Sequence, residues 1–256
     1  ELMDIFEAKT DQFGGVTISD NFPTDSNIFD LKLKNSLAEW GENGIKVVWI
    51  HIPKTRGNLI PVALEQGFDF HHCRENILVL VQRLIQNAII PTFASHYIGA
   101  GGVVTNSANE LLVVSEKYRR TKKAFFKLPG GTIQPKEKIS TGVMREILEE
   151  TGIQTTFESM VCFRHQQEYR FDMADIYFVC KLKAITNTIS KQESEIDECR
   201  WIPIKKYLDS PETSSFNRAI VQSAVYAEGW KLTDIEDYDN EKYEVFAPTI
   251  PHNEGK

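Results

Sequence analysis

Apolar residues recur along this chain in two rhythms, one near helical period and one in short blocks of strand length. In "NIFDLKLKNSLAEWGENG" (27–44), Ile28, Leu31, Leu37 and Trp40 share a stripe, and Gly44 can close the end. This predicts an amphipathic helix. "IKVVWIHI" (45–52) is β-branched and apolar, a buried strand. "RGNLIPVALEQGFDFHH" (56–72) predicts a short helix ending at Gly67, with Pro61 near its first turn. "NILVLVQRL" (76–84) is the next strand, and "FGGVTI" (13–18) is a short one after a Gly-Gly break. The first ninety or so residues thus read as strand, helix, strand, helix, strand. A boundary falls in "NAIIPTFASH" (87–96), giving a small α/β domain at 1–92 and a second domain at 93–256.

The second domain opens with two strands, "YIGAGGVVTN" and "NELLVVSEKY", around a turn at 106–109. "FESMVCFRHQQEYRFDMADIYFVCKLKAIT" supplies two more, and "ECRWIPIKKYLDS" a strand running into a short turn or helix. "SSFNRAIVQSAVYAEG" predicts a helix with Phe216, Ala219, Ile220 and Ala224 on one stripe. After Trp230 the chain turns acidic and aromatic and is expected to extend over the surface.

Composition narrows the class. The 256 residues are 41% hydrophobic and 25% charged, an ordinary globular balance. A net charge of −7 argues against bulk attraction to nucleic acid or anionic membranes. The local exception is a basic cluster of Lys117, Arg119, Arg120, Lys122 and Lys123. No apolar run approaches membrane-spanning length, and the start lacks the regions of a secretory signal. Cys73, Cys162, Cys180 and Cys199 form no paired motif and are expected to be reduced, mostly buried thiols of a cytoplasmic protein.

The candidate chemistry lies between Gly130 and Ile153. A helix from about Ser140 to Thr151, with Ser140 as N-cap and Gly152 past its end, puts Glu146, Glu149 and Glu150 on one face. Val143, Ile147 and Leu148 are then free to bury. Crowded carboxylates repel one another, so the pattern is poor for stability and good for a hard divalent cation. The Pro129-Gly130-Gly131 turn ahead of them can aim a backbone carbonyl at the ion, and Arg145 can orient one acid. The reading is a metal-assisted phosphate site with water as nucleophile.

Gly131, Glu137, Arg145, Glu146, Ile147, Glu149, Glu150, Gly152 and Ile153 fill G-x5-E-x7-R-E-U-x-E-E-x-G-U at every defined position. The stretch is identified as a Nudix box. The resemblance implies an α/β/α sandwich with a mixed sheet and hydrolysis of a nucleoside diphosphate linked to another moiety. It implies that Glu146, Glu149, Glu150 and the Gly130 carbonyl bind Mg²⁺ or Mn²⁺, that Arg145 orients Glu146, and that Glu137 supports the loop. Further stretches ("VVWIHIP", "GFDFHH", "ASHYIGAGG", "ESEIDECRWIPI") resemble a Nudix subgroup with an N-terminal extension. That subgroup includes the animal protein encoded antisense to basic fibroblast growth factor and plant enzymes acting on ADP-ribose and NADH. Its extension resembles part of an acetyltransferase-like fold, which here implies a structural or homodimer-forming piece.

Beyond the box, Glu195 is the first candidate for a further catalytic carboxylate and Glu193 the second. Arg164 can meet a substrate phosphate or carboxylate, and Tyr97, Phe125, Phe126 and Tyr169 can stack on a base. His71 and His72, adjacent on a strand, should face opposite ways and so make a poor joint metal site; His96 is expected to pack or hydrogen-bond. The proline that ADP-ribose hydrolases often carry after the box is replaced by Glu168–Tyr169. A tyrosine there resembles dinucleoside polyphosphate hydrolases. Whole-chain resemblance favours ADP-ribose and NADH; hydrolysis of capped RNA or dinucleoside polyphosphates, and nucleotide sensing without turnover, are the alternatives.

Overall fold

A computed structural model of the chain describes residues 4–118 and 125–249 and divides it into two compact units, Glu1–Ser95 and His96–Lys256. The first unit contains β1 (Lys9–Thr10), β2 (Gly15–Ile18), α1 (Ser26–Glu42), β3 (Val47–Pro53), α2 (Ile60–Glu65), β4 (Asp69–Arg74) and β5 (Ile77–Arg83). Its sheet runs β1-β2-β3-β5-β4, with β2 and β3 parallel and the other pairs antiparallel. Alternation along β3 sends Val48, Ile50 and Ile52 into one core with Phe29, Leu33, Leu59 and Ala63.

Helix α1 starts where Asp25 accepts the Asn27 N–H at 2.7 Å. Its buried face matches the expected stripe only in part. Phe29, Leu33, Ser36 and Trp40 are buried, while Ile28 and Leu31 are 54% and 62% exposed. Phe29 packs on Phe6 and Phe22, with ring centroids 5.6 and 5.9 Å away. That aromatic cluster outweighs Ile28 and Leu31 at the start of the helix, whereas Leu37 and Trp40 of the expected stripe do face the core.

Strand β4 carries His71 and His72, as expected of them, and has a bulge between Phe70 and His72. The bulge overturns the expectation that the two histidines face apart. Their Nδ1 atoms lie 2.6 Å from each other, His71 Nε2 is 2.7 Å from the Pro91 oxygen, and His72 stacks on Phe93 at 4.3 Å. Burial, then the charges of His71, Arg74 and His51, hold His72 below the ordinary imidazole range; burial, then Arg74, does the same to His51. The folded unit therefore prefers neutral rings. Below about pH 6.5 the unfolded chain takes up protons first, so stability present above that pH is lost as it falls. Scanning calorimetry should show the first unit melting lower from about pH 7 to pH 5. His72→Phe, which keeps the stacking, should flatten that dependence.

The second unit contains β6 (His96–Thr105), β7 (Glu110–Glu116), β8 (Gly130–Thr132), α3 (Ile139–Thr151), β9 (Thr155–Gln166), β10 (Ala174–Ala184), β11 (Ile196–Pro203), α4 (Ile204–Asp209) and α5 (Ser215–Tyr226). A two-stranded tail of β12 (Lys231–Leu232) and β13 (Phe246–Ala247) follows. The main sheet runs β11-β7-β6-β10-β9, with β8 also paired to β6. It is mixed, because β6 and β10 are parallel. Strand alternation divides its apolar residues between two layers. Val103, Leu111, Val113 and Val179 meet Tyr207, Ile220 and Val221 of α4 and α5. Val104, Leu112, Cys180 and Leu182 meet Val143 and Ile147 of α3. The result is the α/β/α sandwich.

Two details of α3 differ from expectation. Leu148 is 46% exposed, and Glu150 takes the inward position in its place. Ser140 is not the N-cap: Lys138 holds that position and caps nothing with its side chain. The C-terminus is as expected, with Gly152 at φ 72° returning its N–H to Leu148. In α5, Ser214 caps the start, and Phe216 stands 41% exposed rather than in the buried stripe. All four cysteines are free thiols, with Cys180 buried and Cys73 exposed. Among the described residues no helix is long and apolar enough to cross a membrane.

Candidate active site

The site is assembled by one short strand. β8 pairs Gly99 with Thr132, Ala100 with Gly131 and Gly101 with Gly130. This seats the Pro-Gly-Gly turn against the middle of the sheet, beside α3. The Gly102 N–H donates to the Pro129 oxygen at 2.9 Å and locks the turn. The Gly130 N–H then donates to Glu150 Oε2 at 2.9 Å. Gly131 leaves room for Glu146, since a Cβ there would lie 2.4 Å from Glu146 Oε2.

Arg145 is the hub. Its Nε and one terminal nitrogen reach the two oxygens of Glu137 at 2.7 and 2.9 Å. The other terminal nitrogen reaches Glu146 Oε1 and Glu149 Oε2, both at 3.0 Å. Such a fork fixes direction as well as charge. The bond to Arg145 holds Glu137 below the usual carboxylate range, and bonding to Glu137 keeps Arg145 firmly charged. Burial pushes Glu146 up despite Arg145, and it pushes Glu150 up to about 7 against the pull of Gly130 and Lys127.

Two raised carboxylates beside a third are a donor set that favours a cation. All donors are oxygen, which suits Mg²⁺ or Mn²⁺. The oxygens do not converge as they stand: among the described residues no three His, Cys, Asp or Glu side chains are grouped to hold an ion. Arg145 draws Glu146 and Glu149 one way, and Gly130 draws Glu150 another. The Glu149 side chain is 51% exposed and has the freedom to turn. The residues fit the ion by chemistry and need side-chain rotation to close on it.

A cleft of 570 Å³ opens beside this carboxylate face. Tyr97, Phe125, Tyr169 and Phe216 give it aromatic walls; Arg164 and Arg170 give it positive charge. Arg164 does line the cleft, but it is already paired, with Asp175 at 2.6 Å. It also lies between the rings of Tyr177 and Phe216, 5.4 and 5.7 Å from their centroids. Tyr169 packs edge-on against Tyr97 at 5.8 Å, with Arg170 over its face.

Other candidates are placed elsewhere. Phe126 belongs to the core with its ring covered by Arg200 at 3.9 Å, and its neighbour Phe125 faces the cleft. Glu195 and Glu193 are exposed and do not line the cleft; Glu193 pairs with Lys191 at 2.9 Å. Their loop instead docks on the end of α3, where the Gln192 N–H reaches the Glu150 carbonyl at 3.0 Å. His96 meets His165 through Nε2 atoms 3.1 Å apart. Of the basic cluster, Arg119, Arg120, Lys122 and Lys123 lie outside the described residues, and Lys117 donates to the Glu193 carbonyl. Sequence reasoning missed Glu116, Lys127 and Asp175, which all line the cleft. Glu116 and Lys127 form an ion pair where Lys127 bridges to Val114. No spacing signal joins two residues that meet across separate segments.

Comparison with known proteins gives the family. A family model described as NUDIX domain matches residues 95–223, and one described as Nudix hydrolase domain matches residues 6–84. Nudix hydrolase 7 of Arabidopsis thaliana is 39% identical over 81% of this chain and 75% of its own. Nudix hydrolase 8 of the same plant is 33% identical over 81% of this chain, which spans only 57% of that relative's length. The human nucleoside diphosphate-linked moiety X motif 6 is 29% identical over 96% of this chain and 83% of its own. With the box intact and both family models matched in order, the chain belongs to the Nudix hydrolase family.

Proposed function

We propose that the protein hydrolyses the pyrophosphate bond of ADP-ribose or NADH with Mg²⁺ or Mn²⁺, giving AMP and a phosphorylated remainder. The observation that carries this is the carboxylate face of Glu146, Glu149 and Glu150 beside an aromatic and basic cleft. A divalent cation on that face supplies charge neutralisation at the phosphates and a more acidic water. The chain's own residues do the rest. Arg145 holds Glu146 and Glu149 aligned, and the Gly130 N–H fixes Glu150. Water oxygen bonds to one phosphorus, the bridging P–O bond breaks, and the bridging oxygen leaves on the other phosphate.

The cleft volume sits within the usual range for small-molecule sites, roughly 300–1,000 Å³. Tyr97, Tyr169 and Phe216 offer ring faces to a base, while Arg164 and Arg170 offer charge to phosphate or a sugar-linked group. ADP-ribose and NADH are favoured by the resemblance to plant enzymes of this subgroup. Tyr169 in the cleft favours a second reading, hydrolysis of dinucleoside polyphosphates. Incubation with ADP-ribose, NADH, dinucleoside polyphosphates and capped RNA, with Mg²⁺ or Mn²⁺, separates the readings by mass spectrometry of products. AMP from ADP-ribose or NADH is the expected result. No product from any member, with metal bound, ends the enzymatic reading and leaves nucleotide sensing.

The free thiols fit a reducing, cytosol-like compartment. For the first unit we propose a structural role that includes self-association as a homodimer. Light scattering that returned a monomer mass of 29.2 kDa would remove the dimer.

A further inference from the structure

We infer that Glu244, on the C-terminal tail, is a positioning residue for hydrolysis: it caps α3 and so steadies the Glu137–Arg145 clamp that orients Glu146 and Glu149. The inference rests on reading those glutamates as the metal-dependent hydrolytic face.

Helix α3 begins badly on its own. The first N–H groups of any helix lack internal partners, and its positive end favours an acid. Here Lys138 occupies the N-cap, makes no capping bond, and brings charge of the wrong sign; the first turn contains no acid. The remedy comes from 105 residues further along the chain. Glu244 Oε2 accepts the Ile139 N–H at 2.6 Å, and Oε1 accepts the Ser140 N–H at 3.3 Å. The Ser140 hydroxyl also donates to Glu244. The same tail takes up the misplaced cation, as Lys138 Nζ donates to the Asn240 carbonyl at 2.8 Å.

The tail is anchored well enough to do this. The Trp230 and Met160 backbones exchange hydrogen bonds at 2.7 and 2.9 Å on β9. β12 pairs with β13, the Thr233 N–H reaches the Val245 oxygen at 2.8 Å, and Phe246 packs on Phe157 at 5.7 Å. Glu244 is thus held between two fixed points. Its consequence for the site runs through Glu137, which immediately precedes Lys138 and grips Arg145 with both oxygens. Fraying of the first turn moves Glu137, and Arg145 then loses the partner that aims it at Glu146 and Glu149.

The test compares Glu244→Ala with the double variant Glu244→Ala, Lys138→Asp. The latter returns an acid to the N-cap position, from which it accepts N–H bonds of the first turn. Metal-free protein is followed by amide exchange at Ile139 and Ser140, Mn²⁺ binding by calorimetry, and turnover by kcat and KM. Glu244→Ala should exchange faster at both amides and bind Mn²⁺ about tenfold more weakly, the low end for groups that orient metal ligands. Turnover should fall at limiting metal and recover as Mn²⁺ is raised. The double variant should regain most of the affinity, which tail packing alone would not restore. If Glu244→Ala does not fold, Glu244→Gln keeps the acceptor oxygen without the charge and should show a smaller shift the same way. Wild-type exchange and affinity in the single variant overturn the inference, as does a folded double variant that regains neither. If the wild type binds Mn²⁺ and turns over nothing, the proposed function fails while the affinity comparison still decides the role of Glu244.

Discussion

Glu150→Gln is expected to cost more than about a hundredfold in kcat/KM and yet to melt at a higher temperature than the wild type when metal is absent. Groups that merely orient a metal ligand are worth about 10–100-fold, so a carboxylate on the metal face should exceed that. The stability change has the opposite sign because Glu150 is only 6% exposed and burial raises its pKa to about 7. A carboxyl raised in the fold is stabilising while protonated, below its unfolded value near 4.5. That contribution is lost as pH rises through about 7. Above that pH the charged form burdens the fold by about 3 kcal/mol. Glutamine removes the charge, and its amide oxygen can still accept the Gly130 N–H that Glu150 holds at 2.9 Å. Thermal unfolding of metal-free protein at about pH 8 checks the gain, which should shrink as pH falls through about 7 and vanish only below about pH 4.5, where the carboxyl is protonated in the folded and unfolded chain alike. Loss of activity with a lower melting temperature would mean that Glu150 supports the fold rather than the ion. Glu149→Gln is the contrast: its side chain is 51% exposed, so activity should fall with little change in stability.

Much of this site could be read in the sequence because its chemistry is local. Arg145, Glu146, Glu149 and Glu150 lie on one helix, so spacing places them together, and the box resemblance adds Glu137 from the loop just before it. The strands of the second unit were legible for a similar reason: Val103/Val104 and Leu111/Leu112 alternate between two covered faces. What escaped depends on meetings between distant segments. Ser140 has the composition of an N-cap, yet the cap is Glu244, and nothing near Ser140 announces it. Arg164 reads as a charge for substrate until Asp175 appears across the β9–β10 pair. Phe125 and Phe126 are identical in type, and only the bridge of Lys127 to Val114 and the cover of Arg200 decide which one turns inward. In the first unit Leu37 and Trp40 of α1 face the core as expected, but Ile28 and Leu31 do not, because an aromatic cluster of Phe29 with Phe6 and Phe22 has no helical period to reveal it.

Gly130→Ala is the substitution expected to damage stability most, and it should take the site down with it. Gly130 has φ 148°, a region that side-chain-bearing residues rarely enter. A Cβ there would also stand 2.3 Å from the Ala100 oxygen and 2.5 Å from the Gly101 Cα. Both are backbone atoms of β6 in the centre of the sheet, so no rotamer change relieves the contact. Backbone strain of about 1–3 kcal/mol and overpacking of about 1–3 kcal/mol together give an expected loss of about 4 kcal/mol. Urea unfolding measures it, with Gly41→Ala as the control. Gly41 lies in α1 with nothing within 4 Å of its would-be Cβ, so alanine there should stabilise by up to about 1 kcal/mol. The protein has one way to lessen the damage at Gly130, which is to let β8 move away from β6. That movement carries the Gly130 N–H away from Glu150 and Gly131 away from Glu146, so whatever stability is recovered is taken from the carboxylate face. A variant that kept both full stability and full turnover would show that the close seating of the Pro-Gly-Gly turn on β6 is not what places Glu146 and Glu150.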